Sequence, residues 1–190
     1  MAESGLRLGE ALGLRHADWT AGRGDTPFVE VVPREHPHGV RVKGMRSRRV
    51  FISDRLERLY GEYVWRVSDA AWADGRELED DGYVFVNLAR EPRFRPLRPE
   101  SVYETVRRIK RQLGDAVPGG WTPHWFRHTH ATALLLGGAK HHVVMRRLGH
   151  ADIQTTMSLY GWVTDEAELR SVADWQRYAE GWRTDEEAHR

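Results

Sequence analysis

The sequence contains no cysteine. Disulfides, thiolate metal sites and a cysteine nucleophile are excluded together. It also has no apolar run near the ~20 residues that a membrane-spanning helix requires. The opening residues MAESGLRLGE hold none of the apolar core of a secretory signal. Internal repeats and low-complexity tracts are absent as well. Charge of one sign is scarce: 29 Lys+Arg against 28 Asp+Glu leave a net charge of +1, which by itself indicates no polyanionic partner. With 190 residues, 40% hydrophobic and 30% charged, and a mean hydropathy of −0.64, the chain reads as one globular domain or slightly more. A reducing, cytoplasmic setting is the expectation.

The near-neutral total hides a segregation. Residues 34–58 carry eight Lys/Arg against three Asp/Glu, and residues 88–113 repeat that ratio. Acids gather at 68–82, six against one, and in the tail 164–190, eight against four. Such a distribution lets one face attract phosphate while the whole stays close to neutral. Solvated helix faces explain basic runs about as well, so charge alone does not decide.

Local patterning predicts an α+β protein, mainly α, with a small three-stranded antiparallel sheet. Residues 5–14 read as a short amphipathic helix with Leu8, Ala11 and Leu12 on one side. Nothing before it covers that side, so a preceding segment is expected to be missing from this chain. Phe28–Val32, Gly39–Val42 and Arg48–Ile52 are β-rich runs, the last two joined by the turn Lys43-Gly44-Met45-Arg46-Ser47. Ser53-Asp54 opens a helix through Leu56, Leu59, Tyr60, Tyr63, Val64 and Val67. Residues 68–82 read as a surface loop and Tyr83–Val86 as an extended segment. A helix over 99–113 has Val102, Val106, Ile109 and Leu113 on its expected buried stripe. Further helices are expected over 122–136, stopped by Gly137-Gly138, over 141–148, after Asp152, and from Thr164.

Several polar residues invite a chemical reading, and each has a bland alternative. Arg7 fits a helix surface and Lys43 a hairpin turn. His124 and His128 stand i, i+4, with His130 close behind, a spacing that raises the question of a metal. No Asp, Glu or Cys lies nearby in sequence and the H-E-x-x-H pattern is absent, so no metal site is expected. For any one histidine alone, a structural role is the better reading.

The ordered set says more. Gly5-Leu6-Arg7-Leu8-Gly9-Glu10 is followed by Val42-Lys43-Gly44, then by Thr122-Pro123-His124-Trp125-Phe126-Arg127-His128-Thr129, then by Leu148-Gly149-His150, and by Tyr160 ten residues later. From residue 5 to about 163 this resembles the catalytic domain of the tyrosine recombinases, the phage integrase family. The H-x-x-R-H-T block, the L-G-H triplet and the spaced tyrosine are the specific part of the match. The resemblance implies that Arg7, Lys43, His124, Arg127, His150 and Tyr160 form the active site, with Glu10 an acid that braces it. It implies structural roles for His128 and His130. It also implies a catalytic domain over 1–164, and a C-terminal helix and tail over 165–190 that docks either on its own domain or on another subunit. The resemblance also leads to the expectation that the family's separate N-terminal DNA-clamping domain is missing from this chain.

The implied chemistry suits these residue types. In-line displacement at a phosphodiester concentrates charge on the non-bridging oxygens, so placed cations supply most of the catalysis. Arg7 and Arg127 would grip the phosphate with planar, permanently charged forks. A phenol ordinarily ionises near ~10 and needs help to become a nucleophile; His124 would take its proton. Lys43 would protonate the leaving 5′ oxygen and His150 would donate to the phosphate. The resulting 3′-phosphotyrosyl link keeps the energy of the bond, so rejoining needs neither metal nor nucleotide cofactor. The implied partners are double-stranded DNA and further copies of the chain, as a tetramer on DNA. Two rivals stay open: a type IB topoisomerase-like relaxation of DNA, and a non-catalytic DNA-binding module with a helix–turn–helix over Ala139–Tyr160.

Overall fold

The computed structural model describes residues 1–20, 26–39 and 47–150. The hairpin turn with Lys43, the strand expected over 39–42 apart from Gly39, the helices expected after Asp152 and Thr164, and Tyr160 lie outside the described residues. The chain divides into two compact units, Met1–Ala131 with Arg147–Gly149, and Thr132–Arg146 with His150–Arg190.

The first unit begins with the short helix α1, Leu8–Leu12. Glu10, at its third position, accepts a hydrogen bond from the Arg7 backbone N–H at 2.9 Å, which satisfies one of the donors a helix start leaves open. A 3-10 turn over His16–Asp18 leads into β1, Trp19–Thr20. Strands β2, Phe28–Val31, and β3, Arg48–Phe51, complete an antiparallel sheet of order β1-β2-β3. Val29 pairs with Val50 and Val31 with Arg48. Alternation therefore puts Val29, Val31, Val50 and Arg48 on one face. The three valines are buried there with Leu6, Leu14, Ile52 and Val84.

Helix α2, Asp54–Ala73, starts at Ser53, whose hydroxyl accepts from the Leu56 N–H, and has Asp54 and Glu57 in its first turn. Its Leu56, Tyr60 and Tyr63 pack on the core, and Tyr60 stacks on Trp19 with ring centroids 3.8 Å apart. The helix runs past the expected end at residue 67. Val67 and Ala71, four apart, are both buried, so the buried stripe continues one more turn into the segment expected to be loop. Short bridges Arg15↔Tyr83 and Val86↔Pro96 follow. Helix α3, Pro99–Leu113, opens with proline in its first turn and buries Val106. Leu113, expected on the buried stripe, is 48% exposed, because it ends the helix where the chain turns into the exposed 3-10 segment Gly114–Ala116.

Among the described residues, the strand beside β2 on the side away from β3 is β1, which the sequence reading did not anticipate. A two-residue strand is too short for alternation to register. Helix α5, His141–Leu148, matches its expected bounds and helix α4, Pro123–Leu136, starts one residue later than expected; the unit boundary falls within both. In the second unit, Leu135 and Val144 are buried, and the His150 N–H donates to the Met145 carbonyl at 3.1 Å.

Candidate active site

The centre of the site is Glu10, only 1% exposed. A carboxylate so far from water is costly unless it is paired and its lone pairs are filled. Here four N–H groups converge on it. Oε1 accepts from Arg7 Nη1 at 2.7 Å and Arg48 Nη1 at 3.1 Å; Oε2 accepts from Arg48 Nη2 at 2.7 Å and the Arg7 backbone N–H at 2.9 Å. Arg127 Nη1 stands 3.9 Å from Oε2. Burial by itself raises the carboxyl pKa, but the hydrogen bonds and charges of Arg48 and Arg7 outweigh it and hold it below its ordinary value. Three guanidiniums around one carboxylate leave an excess of positive charge.

Each arginine is also tied to the backbone. Arg7 Nη2 donates to the Gly149 carbonyl at 3.0 Å. Arg127, 2% exposed, donates from Nη1 to Gly5 O and from Nη2 to Leu148 O, both at 2.6 Å. Arg48 Nε donates to Arg147 O at 3.0 Å. Residues far apart in sequence, the α1 entry, β3, α4 and the end of α5, are thereby sewn together. Two glycines permit the close approach. Gly5 has φ +69°, and a Cβ there would lie 2.6 Å from the His130 ring. Gly149 has φ +66°, and a Cβ there would lie 2.7 Å from Arg48 Nη1. The glycine of the L-G-H triplet is therefore required by a guanidinium.

His124, Arg127 and His128 follow at i, i+3 and i+4 of α4 and share one side of it. The two imidazoles meet edge to face, with centroids 4.6 Å apart. Partial burial, then His128, Arg127 and Arg7, push the His124 pKa below its usual 6.5. Its ring is neutral at pH 7 and able to accept a proton. Arg7, Arg127 and His124 are thus brought to one place, as expected. His130 accounts for itself structurally: Nδ1 lies 2.8 Å from the Ala2 carbonyl and Nε2 accepts from Arg147 Nε at 2.8 Å. Among the described residues no cluster of His, Asp and Glu suitable for a metal ion occurs. No described helix is long and apolar enough to cross a membrane.

Sequence reasoning missed Arg48. The signal was present: Val50 and Ile52 are apolar at i+2 and i+4, so period-two alternation turns Arg48 toward the core, where a cation needs a partner.

A cationic cluster with a neutral imidazole beside it is chemically suited to an anion such as phosphate. The profile of the phage integrase family matches residues 1–166, and the chain belongs to that family. It is 35% identical over 167 residues to transposase A from transposon Tn554 of Staphylococcus aureus, covering 87% of this chain and 42% of that protein. It is 32% identical over 159 residues to tyrosine recombinase XerC of Nitrobacter winogradskyi, covering 83% and 42%. The chain thus spans less than half the length of these relatives. Among solved structures, the XerH site-specific recombinase bound to its difH substrate superposes with TM-score 0.64 at 22% identity, over 92% of this chain and 43% of that one. The Tn1549 transposon integrase in complex with circular intermediate DNA gives 0.65 at 16%, over 90% and 56%. These structures share the tyrosine-recombinase catalytic fold with this chain.

Proposed function

We propose that residues 1–164 are the catalytic domain of a site-specific DNA recombinase or integrase that acts in the cytoplasm. The observation that carries this reading is the gathering of Arg7 and Arg127 on buried Glu10, with neutral His124 alongside, in a chain of the phage integrase family. Tyr160 Oη attacks the scissile phosphorus and its proton passes to His124. The bond from phosphorus to the 5′ oxygen breaks, and Lys43 protonates that oxygen. Arg7, Arg127 and His150 stabilise the charge on the non-bridging oxygens. A 5′-hydroxyl from another strand then displaces the tyrosine and restores a phosphodiester, with no metal or nucleotide consumed. The partner is double-stranded DNA, on which four copies assemble, and residues 165–190 supply a helix and tail that dock in cis or in trans.

The test is covalent trapping on nicked and supercoiled DNA carrying the sequence that flanks the gene. The parent chain is expected to form a denaturant-resistant protein–DNA adduct, and Tyr160→Phe none. An adduct that survives in Tyr160→Phe overturns the nucleophile. Relaxation of supercoils by the parent without any need for a second site would favour the topoisomerase reading, and binding without an adduct the non-catalytic one.

A further inference from the structure

We propose that Arg48 is a positioning residue: by filling half of the Glu10 carboxylate it holds the Arg7 and Arg127 guanidiniums in the positions from which they would meet an anionic substrate. The inference rests on the phosphate-gripping role proposed above for those two arginines.

A carboxylate has about four lone-pair sites, and all four at Glu10 are taken, two of them by the Arg48 fork. Arg48 is itself fixed. Its Nε is bound to the Arg147 carbonyl, and its guanidinium occupies the space beside Gly149 that a side chain would fill. All three nitrogens of the Arg48 guanidinium are thus engaged within the protein, two of them by Glu10, and its action passes through Glu10 rather than directly to a ligand. Without Arg48, each Glu10 oxygen has a vacant site in a place with little water. The cations that face it are Arg7, from the start of α1, and Arg127, from α4, whose Nη1 already stands 3.9 Å away. Arg7, which already donates to Oε1, and Arg127 would both be drawn closer to the carboxylate and away from the positions in which they would face a phosphate. The fork of Arg48 is also the foremost influence lowering the Glu10 pKa against its burial. Its removal thus lets Glu10 take up a proton at milder acidity, which neutralises the carboxylate and releases both arginines.

Sulfate tests this, since its charge is constant across the range used. Its binding to the full chain would be measured at about pH 7.5 and about pH 5, with each variant compared to the parent at the same pH. Arg48→Ala is expected to bind about tenfold more weakly than the parent near pH 7.5 and to close most of that gap near pH 5. Adding Glu10→Gln to Arg48→Ala is expected to restore parent-like binding at both values. Should Arg48→Ala not fold, Arg48→Lys replaces it, because a lysine keeps the charge but cannot offer two prongs. It is expected to weaken binding severalfold, again relieved by Glu10→Gln. The proposal is overturned if the Arg48 variant binds as the parent does, if Glu10→Gln gives no recovery in a folded double variant, or if the parent binds no sulfate. Adduct formation on nicked DNA, measured in parallel, separates the two readings. No adduct from the parent with the sulfate pattern intact defeats the recombinase reading alone. An adduct from the parent with no effect of Arg48 on sulfate defeats the positioning role alone.

Discussion

Arg127 shows how a residue expected to grip a phosphate also holds the fold. Its guanidinium donates to Gly5 O and Leu148 O, both at 2.6 Å, while it stands near Glu10. Charge-assisted bonds of this kind, buried, are costly to break singly, because the partners left behind lose water without regaining a bond. Lysine carries one ammonium and cannot span both carbonyls. Arg127→Lys is therefore expected to lose about 2–4 kcal/mol of stability, and adduct formation is expected to fall by about 100-fold or more. Urea unfolding and covalent trapping read the two separately. A parent-like unfolding midpoint would show that the two carbonyl contacts contribute nothing.

Strand β3 explains both what could be read from the sequence and what escaped. Helices α3 and α5 are legible to the residue and α4 to within one, because proline, glycine and apolar spacing mark their ends. The set proposed as catalytic stands in the sequence as an ordered pattern, and of its members Arg7, Arg127 and His124 lie close together. Arg48 escaped because a β-rich run was read for its valine and isoleucine, while its charged inward position was left without a partner. The partner, Glu10, lies 38 residues away, and no local pattern joins them. The end of α2 escaped for another reason: acidic residues 69 and 74 suggested loop, while Val67 and Ala71 were already continuing the buried face. The packing of β3 against the end of α5 gives its own prediction. Gly149→Ala would place a Cβ 2.7 Å from Arg48 Nη1 at a backbone φ of +66°, a conformation that costs a residue with a Cβ about 1–3 kcal/mol. The variant is expected to be destabilised by at least that much and to lose sulfate affinity together with the Arg48 variants. Parent-like unfolding and parent-like sulfate binding together would sink the close-approach argument.

At the scale of the whole molecule, the basic segments divide between cohesion and binding. Arg34 forks onto Asp18 and Arg48 onto Glu10, while Arg93 Nη1 donates to both oxygens of Asp74, so part of each basic run is paired within the protein. The three arginines of α3, Arg107, Arg108 and Arg111, are all exposed. Titration is also collective. His16, His36, His124, His128 and His130 each have a pKa below the ordinary 6.5, with burial the foremost cause in every case. The folded chain thus resists protonation at these rings more than the unfolded chain does. Below about pH 6.5 the unfolded chain takes up protons first, and each proton so bound favours unfolding. Glu10 acts in the same direction from its ordinary 4.5 downward, since its carboxylate is held ionised by Arg48 and Arg7. Stability should therefore be full above about pH 6.5 and decline steadily toward about pH 5, before carboxylate protonation deepens the loss. Thermal unfolding midpoints across that range test it, and a flat profile would mean that the five rings are as well solvated in the fold as outside it. The decline has a functional corollary, because His124 must be neutral to accept the tyrosine proton. The pH range that preserves the fold is also the range in which the proposed base is ready to work.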